Sequence, residues 1–213
     1  MTSKGILEKL PADKLRAVYL AGLREFSAKP FSDAGTDAIA AEGGISKGLL
    51  FHYFGSKKEF YLYCLRRAMD TLTEPGEETE GDDFYSVLFN SMSAKFALCS
   101  AHMPETKMVN MASRDASGEI VAEKAELLGS YGRQIRLRSA AIMGRAVERL
   151  ELKAEQRQLA QSGLLIYVSA LINKYLLAYQ ERPEQFFADA DRIKEEFRGY
   201  IDLMLKGIME DKG

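Results

Sequence analysis

Between Thr36 and Lys58 the sequence gathers Thr36, Ser46, Lys47, His52, Tyr53, Lys57 and Lys58. Hydroxyls, an imidazole, a phenol and ammonium groups are donors that phosphate oxygens and base edges can accept from. The chemistry on offer is recognition rather than bond making. The whole chain holds two histidines, His52 and His102, and two cysteines, Cys64 and Cys99. Neither pair falls at a metal-ligand spacing. No glycine-rich loop of the phosphate-cradling kind occurs, and nothing in sequence brings a serine, a histidine and an acid together. The expectation is no enzyme, no metal and no cofactor.

Such donors need rigid carriers. Residues 36–42 read as a short helix with Thr36 placed to cap it and Ile39 and Ala40 turned inward. Gly43-Gly44 break it and free the backbone for a tight turn, and Ile45 follows as a plug. Ser46 caps a second short helix, 47–54. Gly55-Ser56 end that one, and Ser56 with Glu59 has capping-box spacing. The next helix, Lys57 to Thr73, carries Tyr61, Leu65, Ala68 and Leu72 on one stripe. Upstream, 12–28 places Leu15, Val18, Tyr19, Gly22, Leu23 and Phe26 on one face and stops at Lys29-Pro30. A bracing helix, a glycine turn and a second helix with polar and aromatic residues form a helix-turn-helix. Its second member suits the major groove of DNA, about 12 Å wide.

The segment resembles the tetracycline-repressor (TetR) family. The matching residues run from Leu23-Arg24-Glu25-Phe26 through Phe31, Thr36-Asp37-Ala38-Ile39-Ala40, Gly44-Ile45-Ser46-Lys47-Gly48 and Phe51-His52-Tyr53-Phe54 to Ser56-Lys57-Lys58-Glu59. The resemblance implies a DNA-binding face of Thr36, Ser46, Lys47, Gly48, Leu49, Phe51, His52, Tyr53, Lys57 and Lys58. In that reading Thr36 and the amides around it attract a phosphate, and Lys47 reaches phosphate or a guanine edge. Gly48 lets the backbone approach closely, His52 and Tyr53 bond phosphate oxygens, and Lys57 and Lys58 add charge. Phe54, Ile39 and Ile45 are core. Leu49 and Phe51 stand where the family often has threonine and tyrosine. Both changes remove a hydroxyl, which shifts readout toward thymine methyl groups and DNA shape. Pro30 replaces a common glycine.

Past Glu74-Pro75-Gly76 and an acidic run to Asp83, a candidate boundary, helices are expected near 83–101, 105–114, 118–151, 155–181 and 184–210. The fold class is therefore all-α. A three-helix head at 1–56 precedes a larger ligand-binding and dimerisation part at 57–213, with helix 57–73 connecting them. The apolar stripes of the last two long helices, Leu164, Val168, Leu171 and Tyr175 with Ile193, Phe197, Tyr200 and Met204, are candidates for a homodimer bundle, as the resemblance also implies. Ile166 and Leu177 extend the first of these helices beyond one stripe. Met92, Phe96, Met103, Met108, Met111, Tyr131, Ile135 and Ile142 are candidate pocket residues, because methionines adapt to irregular cavities. Ser169 and Asn173 could orient a ligand.

Bulk properties agree. Residues 1–70 hold 11 Lys and Arg against 8 Asp and Glu, whereas 71–213 hold 18 against 23. A mildly basic head on an acidic body fits DNA binding by the head alone. Cys64 and Cys99 read as buried thiols in a reducing cytosol, and no apolar run is long enough for a membrane, so a cytoplasmic protein is expected. The reading is a ligand-responsive regulator, a repressor released from a pseudo-palindromic double-stranded operator by a small molecule. Its alternative is a helical small-molecule-binding or protein-interaction module without DNA binding.

Overall fold

The computed structural model describes residues 10–74 and 80–209, the side chains of 207–209 excepted. The fold is all-α, with ten helices among the described residues. They are α1 (Ala12–Ala28), α2 (Thr36–Glu42), α3 (Lys47–Phe54), α4 (Lys57–Thr73), α5 (Phe84–Ala101), α6 (Met103–Arg114), α7 (Val121–Val147), α8 (Ala154–Ala178), α9 (Pro183–Ala188) and α10 (Ala190–Met209). The first four have the bounds that periodicity and caps predict. The single helix expected over 184–210 is divided at Asp189. That carboxylate accepts from the Tyr179 hydroxyl and from the Gln185 and Arg192 side chains. Ile193 N–H still bonds Asp189 O at 2.9 Å, so the break is shallow. Residues 75–79 of the expected loop lie outside the described residues.

Two compact units result: 10–74 with 102–132, and 80–101 with 133–209. The first core is built on α1 and α4, through Val18, Leu23, Phe26, Phe60, Tyr61, Cys64 and Leu65, with Met108 and Ala112 from α6. Packing thus groups α4, α6 and the start of α7 with the head, a different division from the expected 56/57 boundary. The buried Tyr19 hydroxyl of α1 donates to Glu105 Oε1 of α6 at 3.3 Å. The second core joins Phe84, Val87 and Leu88 of α5 and Met143 of α7 to the stripes of α8 and α10. α7 crosses from one unit to the other along its length.

No described helix is long and apolar enough to cross a membrane. Both cysteines are free thiols; Cys64 is buried and Cys99 half-buried. Burial pushes the Cys64 thiol well up, with Arg67 opposing, so it stays protonated and inert.

Candidate nucleic-acid interface

The turn between α2 and α3 explains its two glycines separately. A Cβ on Gly43 would meet Val18 Cγ2 at 2.9 Å, so α1 and this turn approach only because none is there. Gly44 has φ +66°, a left-handed conformation that side chains disfavour. Ile45 N–H then bonds Ala40 O at 3.0 Å, and Ile45 is half-buried against the first core. Ser46 Oγ accepts the Leu49 N–H at 3.1 Å, the expected cap of α3. At the other end Ser56 Oγ accepts the Glu59 N–H at 3.1 Å and starts α4.

Inward, α2 and α3 plant Ile39, Ala40, Leu50 and Phe54 in the core. The Phe54 ring meets Phe60 edge-on at 4.5 Å between centroids. Outward, Lys47, Gly48, Leu49 and His52 are exposed, while Phe51 and Tyr53 are half-buried. No acidic residue occurs from Ser46 to Lys58, so the free side of α3 carries no carboxylate.

Several of the expected contacts are placed differently. Thr36 is the first residue of α2, not its cap; Gly35 takes that position and makes no side-chain cap. Thr36 is 8% exposed, and the Gly35 amide already donates to Glu25 Oε1 at 2.7 Å. Burial alone would raise the Glu25 carboxyl, yet the Gly35 amide and the Lys29 ammonium hold it below its ordinary value. An anion thus already sits at the start of α2, which weakens that helix end as a phosphate site. Lys47 pairs with Asp37 at 2.8 Å in an exposed bridge, weak enough to be exchanged for another anion. Lys57 donates to Ser32 O at 3.3 Å and stands 4.6 Å over the Phe31 ring. Lys58 bonds Glu123 at 2.6 Å, a contact that raises its affinity for its proton. An open hollow of about 470 Å³ is lined by Phe31, Ser56, Lys57, Lys58 and Glu119.

The candidate pocket residues do not converge on one unit. Met103, Met108, Met111 and Tyr131 belong to the first; Met92, Phe96, Ile135, Ile142, Ser169 and Asn173 belong to the second. Met108 is wholly buried core. The Tyr131 phenol is pushed up to about 12 by burial and by the Asp70 carboxylate it donates to. Phe96 meets Phe186 edge-on at 4.9 Å. Ile135 is 43% exposed. Ser169 and Asn173 are exposed as well, because α8 buries the face of Leu164, Val168, Leu171 and Tyr175 and these two fall on the other.

Burial divides the candidate dimer residues. Leu164, Val168, Leu171, Tyr175, Ile193 and Phe197 are buried in the second core, with Tyr200 and Met204 half-buried against it. The six buried ones hold α8 and α10 together inside one chain and are not free for a second copy, whereas Tyr200 and Met204 keep part of their surface. The apolar side chains left outside are Leu159, Ile166, Ile172, Leu176 and Leu177 on α8 and Leu203 on α10. The sequence signal for them was there, in the apolar residues of α8 that exceed one stripe.

Comparison with known proteins places this geometry. Residues 19–64 match the family described as bacterial regulatory proteins, tetR family. A stretch of 65 residues is 40% identical to the HTH-type transcriptional activator FasR of Mycolicibacterium smegmatis, covering 30% of this chain and 30% of that protein. The chain is similar in fold to NalD of Pseudomonas aeruginosa, the secondary repressor of the MexAB-OprM multidrug efflux pump. That likeness has TM-score 0.58 at 20% identity and covers 87% of this chain and 95% of the other. A TetR family transcriptional regulator from Chloroflexus aurantiacus gives TM-score 0.55 at 19% identity, covering 94% and 95%.

Proposed function

Since the chain belongs, through its N-terminal domain, to the tetR family of DNA-binding transcriptional regulators, we propose that it is a homodimeric repressor released from its operator by a small molecule. The observation that carries the DNA-reading part is the outward face of α3: Lys47, Gly48, Leu49 and His52 exposed, with no acid from Ser46 to Lys58. Such a face tolerates the phosphate walls of a groove and can reach base edges. Two copies related by a twofold axis would present two α3 helices to half-sites about 34 Å apart or a multiple of that. The outer apolar side of α8 supports the second copy. Repression rather than activation is the family prior, and the relatives include both an activator and a repressor. For release, we favour an effector that alters the packing of α6 against α4, where Met103 and Met111 are half-buried. It must favour the DNA-incompetent arrangement by its difference in affinity, about 1–3 kcal/mol.

The test is enrichment of duplexes from a random-sequence pool by the full-length protein, followed by affinity measurements across salt. A specific duplex should emerge, with log affinity falling linearly in log salt. Lys47→Ala should flatten the slope by about 0.9, one phosphate's worth. A pool that stays random would leave the helical binding module without DNA as the reading. Fusion of the selected site to a promoter then separates repression from activation.

A further inference from the structure

The loop between α6 and α7 ends its polar groups on the DNA reader, far back along the chain. The Phe31 N–H donates to Asp115 Oδ2 at 2.7 Å, across 84 positions. The Ser32 N–H faces Ser117 Oγ at 3.4 Å. Asp115 is 7% exposed. Its other oxygen takes the Ser117 N–H at 2.9 Å and the Ser117 hydroxyl at 2.6 Å. Its backbone carbonyl accepts from Lys124, itself buried. Burial alone would raise the Asp115 carboxyl, but the hydrogen bonds from Ser117 and Phe31 hold it below its usual value.

A buried carboxylate is tolerated only when its lone pairs are filled, and one of the fillers here is the turn itself. That turn is gripped from its other side too. Lys57 holds Ser32 O, and the Tyr61 ring meets Phe31 edge-on at 5.3 Å. From it the chain goes straight into α2: the Asp33 and Ala34 amides bond Pro30 O at 3.0 and 3.1 Å, and Ile39 N–H bonds Gly35 O at 3.2 Å.

We propose that Asp115 is a positioning residue for DNA binding: by holding the Phe31 amide it fixes the turn from which α2 springs, so operator affinity is set in part from the α6–α7 loop. The proposal rests on the DNA-binding reading above. Displacement of that loop would loosen the reader with no contact made to α3.

The experiment uses the full-length protein, the duplex enriched by the wild type, and the variants Asp115→Ala, Asp115→Asn and Ser117→Ala. Hydrogen exchange at the Phe31 amide and duplex affinity are read together. Asp115→Ala should speed exchange at Phe31 and weaken the duplex by about tenfold, the weight of one hydrogen bond to a charged group, with exchange in α5 unchanged. Asp115→Asn keeps an acceptor oxygen and should recover most of both. If the alanine variant loses its cooperative melt, the asparagine and Ser117→Ala variants carry the same paired readout, with smaller effects expected. Faster exchange at Phe31 with affinity unchanged within twofold makes the loop structural only and overturns the proposal. Unchanged exchange removes the hydrogen bond and overturns it too. A wild type that enriches no duplex overturns the DNA reading itself, an outcome visible before any variant is made.

Discussion

Gly48 and Gly43 are one residue type with opposite reasons. A Cβ at Gly48 would meet only Ser46 Oγ, at 4.0 Å, whereas at Gly43 it would meet Val18 Cγ2 at 2.9 Å and Val18 Cα at 3.0 Å. Gly48→Ala is therefore expected to stabilise the protein by about 0.5–1 kcal/mol, the helical preference for alanine. It should weaken the selected duplex by an order of magnitude or more, since the methyl stands between backbone and groove. Gly43→Ala should cost about 1–3 kcal/mol by overpacking. Urea melts beside duplex titrations separate the two; a Gly48→Ala protein that binds as before would show that close approach is not needed there. Leu49, 37% exposed on the same face, has no partner role in the core and suits a thymine methyl. Replacing each thymine of the selected duplex by uracil should cost the wild type about fourfold at one position per half-site, close to one buried methyl group. Leu49→Ala should be indifferent there; equal sensitivity in both proteins would assign the methyl to another residue. Local roles such as the Ser46 cap were legible in sequence because cap and acceptor are three residues apart. The tie of Lys58 to Glu123 was not, because 65 positions separate them and no pattern records a long-range pair.

Element by element, caps and periodicity located the four N-terminal helices, and burial shows why. α1, α2 and α4 each turn one apolar face to the core. α3, at eight residues, is too short to hold itself in isolation. Its cap and its two anchors, Leu50 and Phe54, keep it in place. Ser46→Ala is expected to cost about 1 kcal/mol and to speed amide exchange within α3 ahead of α4. Exchange that rises equally in both helices would mean that the cap serves the unit as a whole rather than its own helix. For α8 periodicity was less informative, since apolar residues occupy more than one face. A pattern counts faces but does not say which neighbour each face meets, so the stripe that closes the second core was read as a dimer surface. Ser169 and Asn173 lie on the exposed side of α8, opposite the face that it buries, a placement that polarity on an apolar helix does not reveal.

At the scale of the whole molecule the question is which face of α8 a second copy would use. Leu164 is wholly buried and Ile166, two positions on, is 72% exposed, so the two leucine-sized side chains report on different assemblies. Leu164→Ala should cost about 2–5 kcal/mol through the cavity it leaves, whatever the oligomer. Ile166→Glu leaves that core untouched and places a charge on the apolar strip shared by Leu159 and Leu177. In a twofold interface each protomer presents the same patch, so the substitution sets two carboxylates into one apolar seam. The wild type is expected to sediment as a dimer at micromolar concentration and the Ile166→Glu protein as a monomer. Duplex affinity should fall by about a hundredfold or more, because the second half-site loses the effective concentration that linkage provides. Per-half-site contacts should persist, so the salt slope of the monomer should be about half that of the dimer. An Ile166→Glu protein that remains dimeric with its affinity intact would move the interface off the outer side of α8.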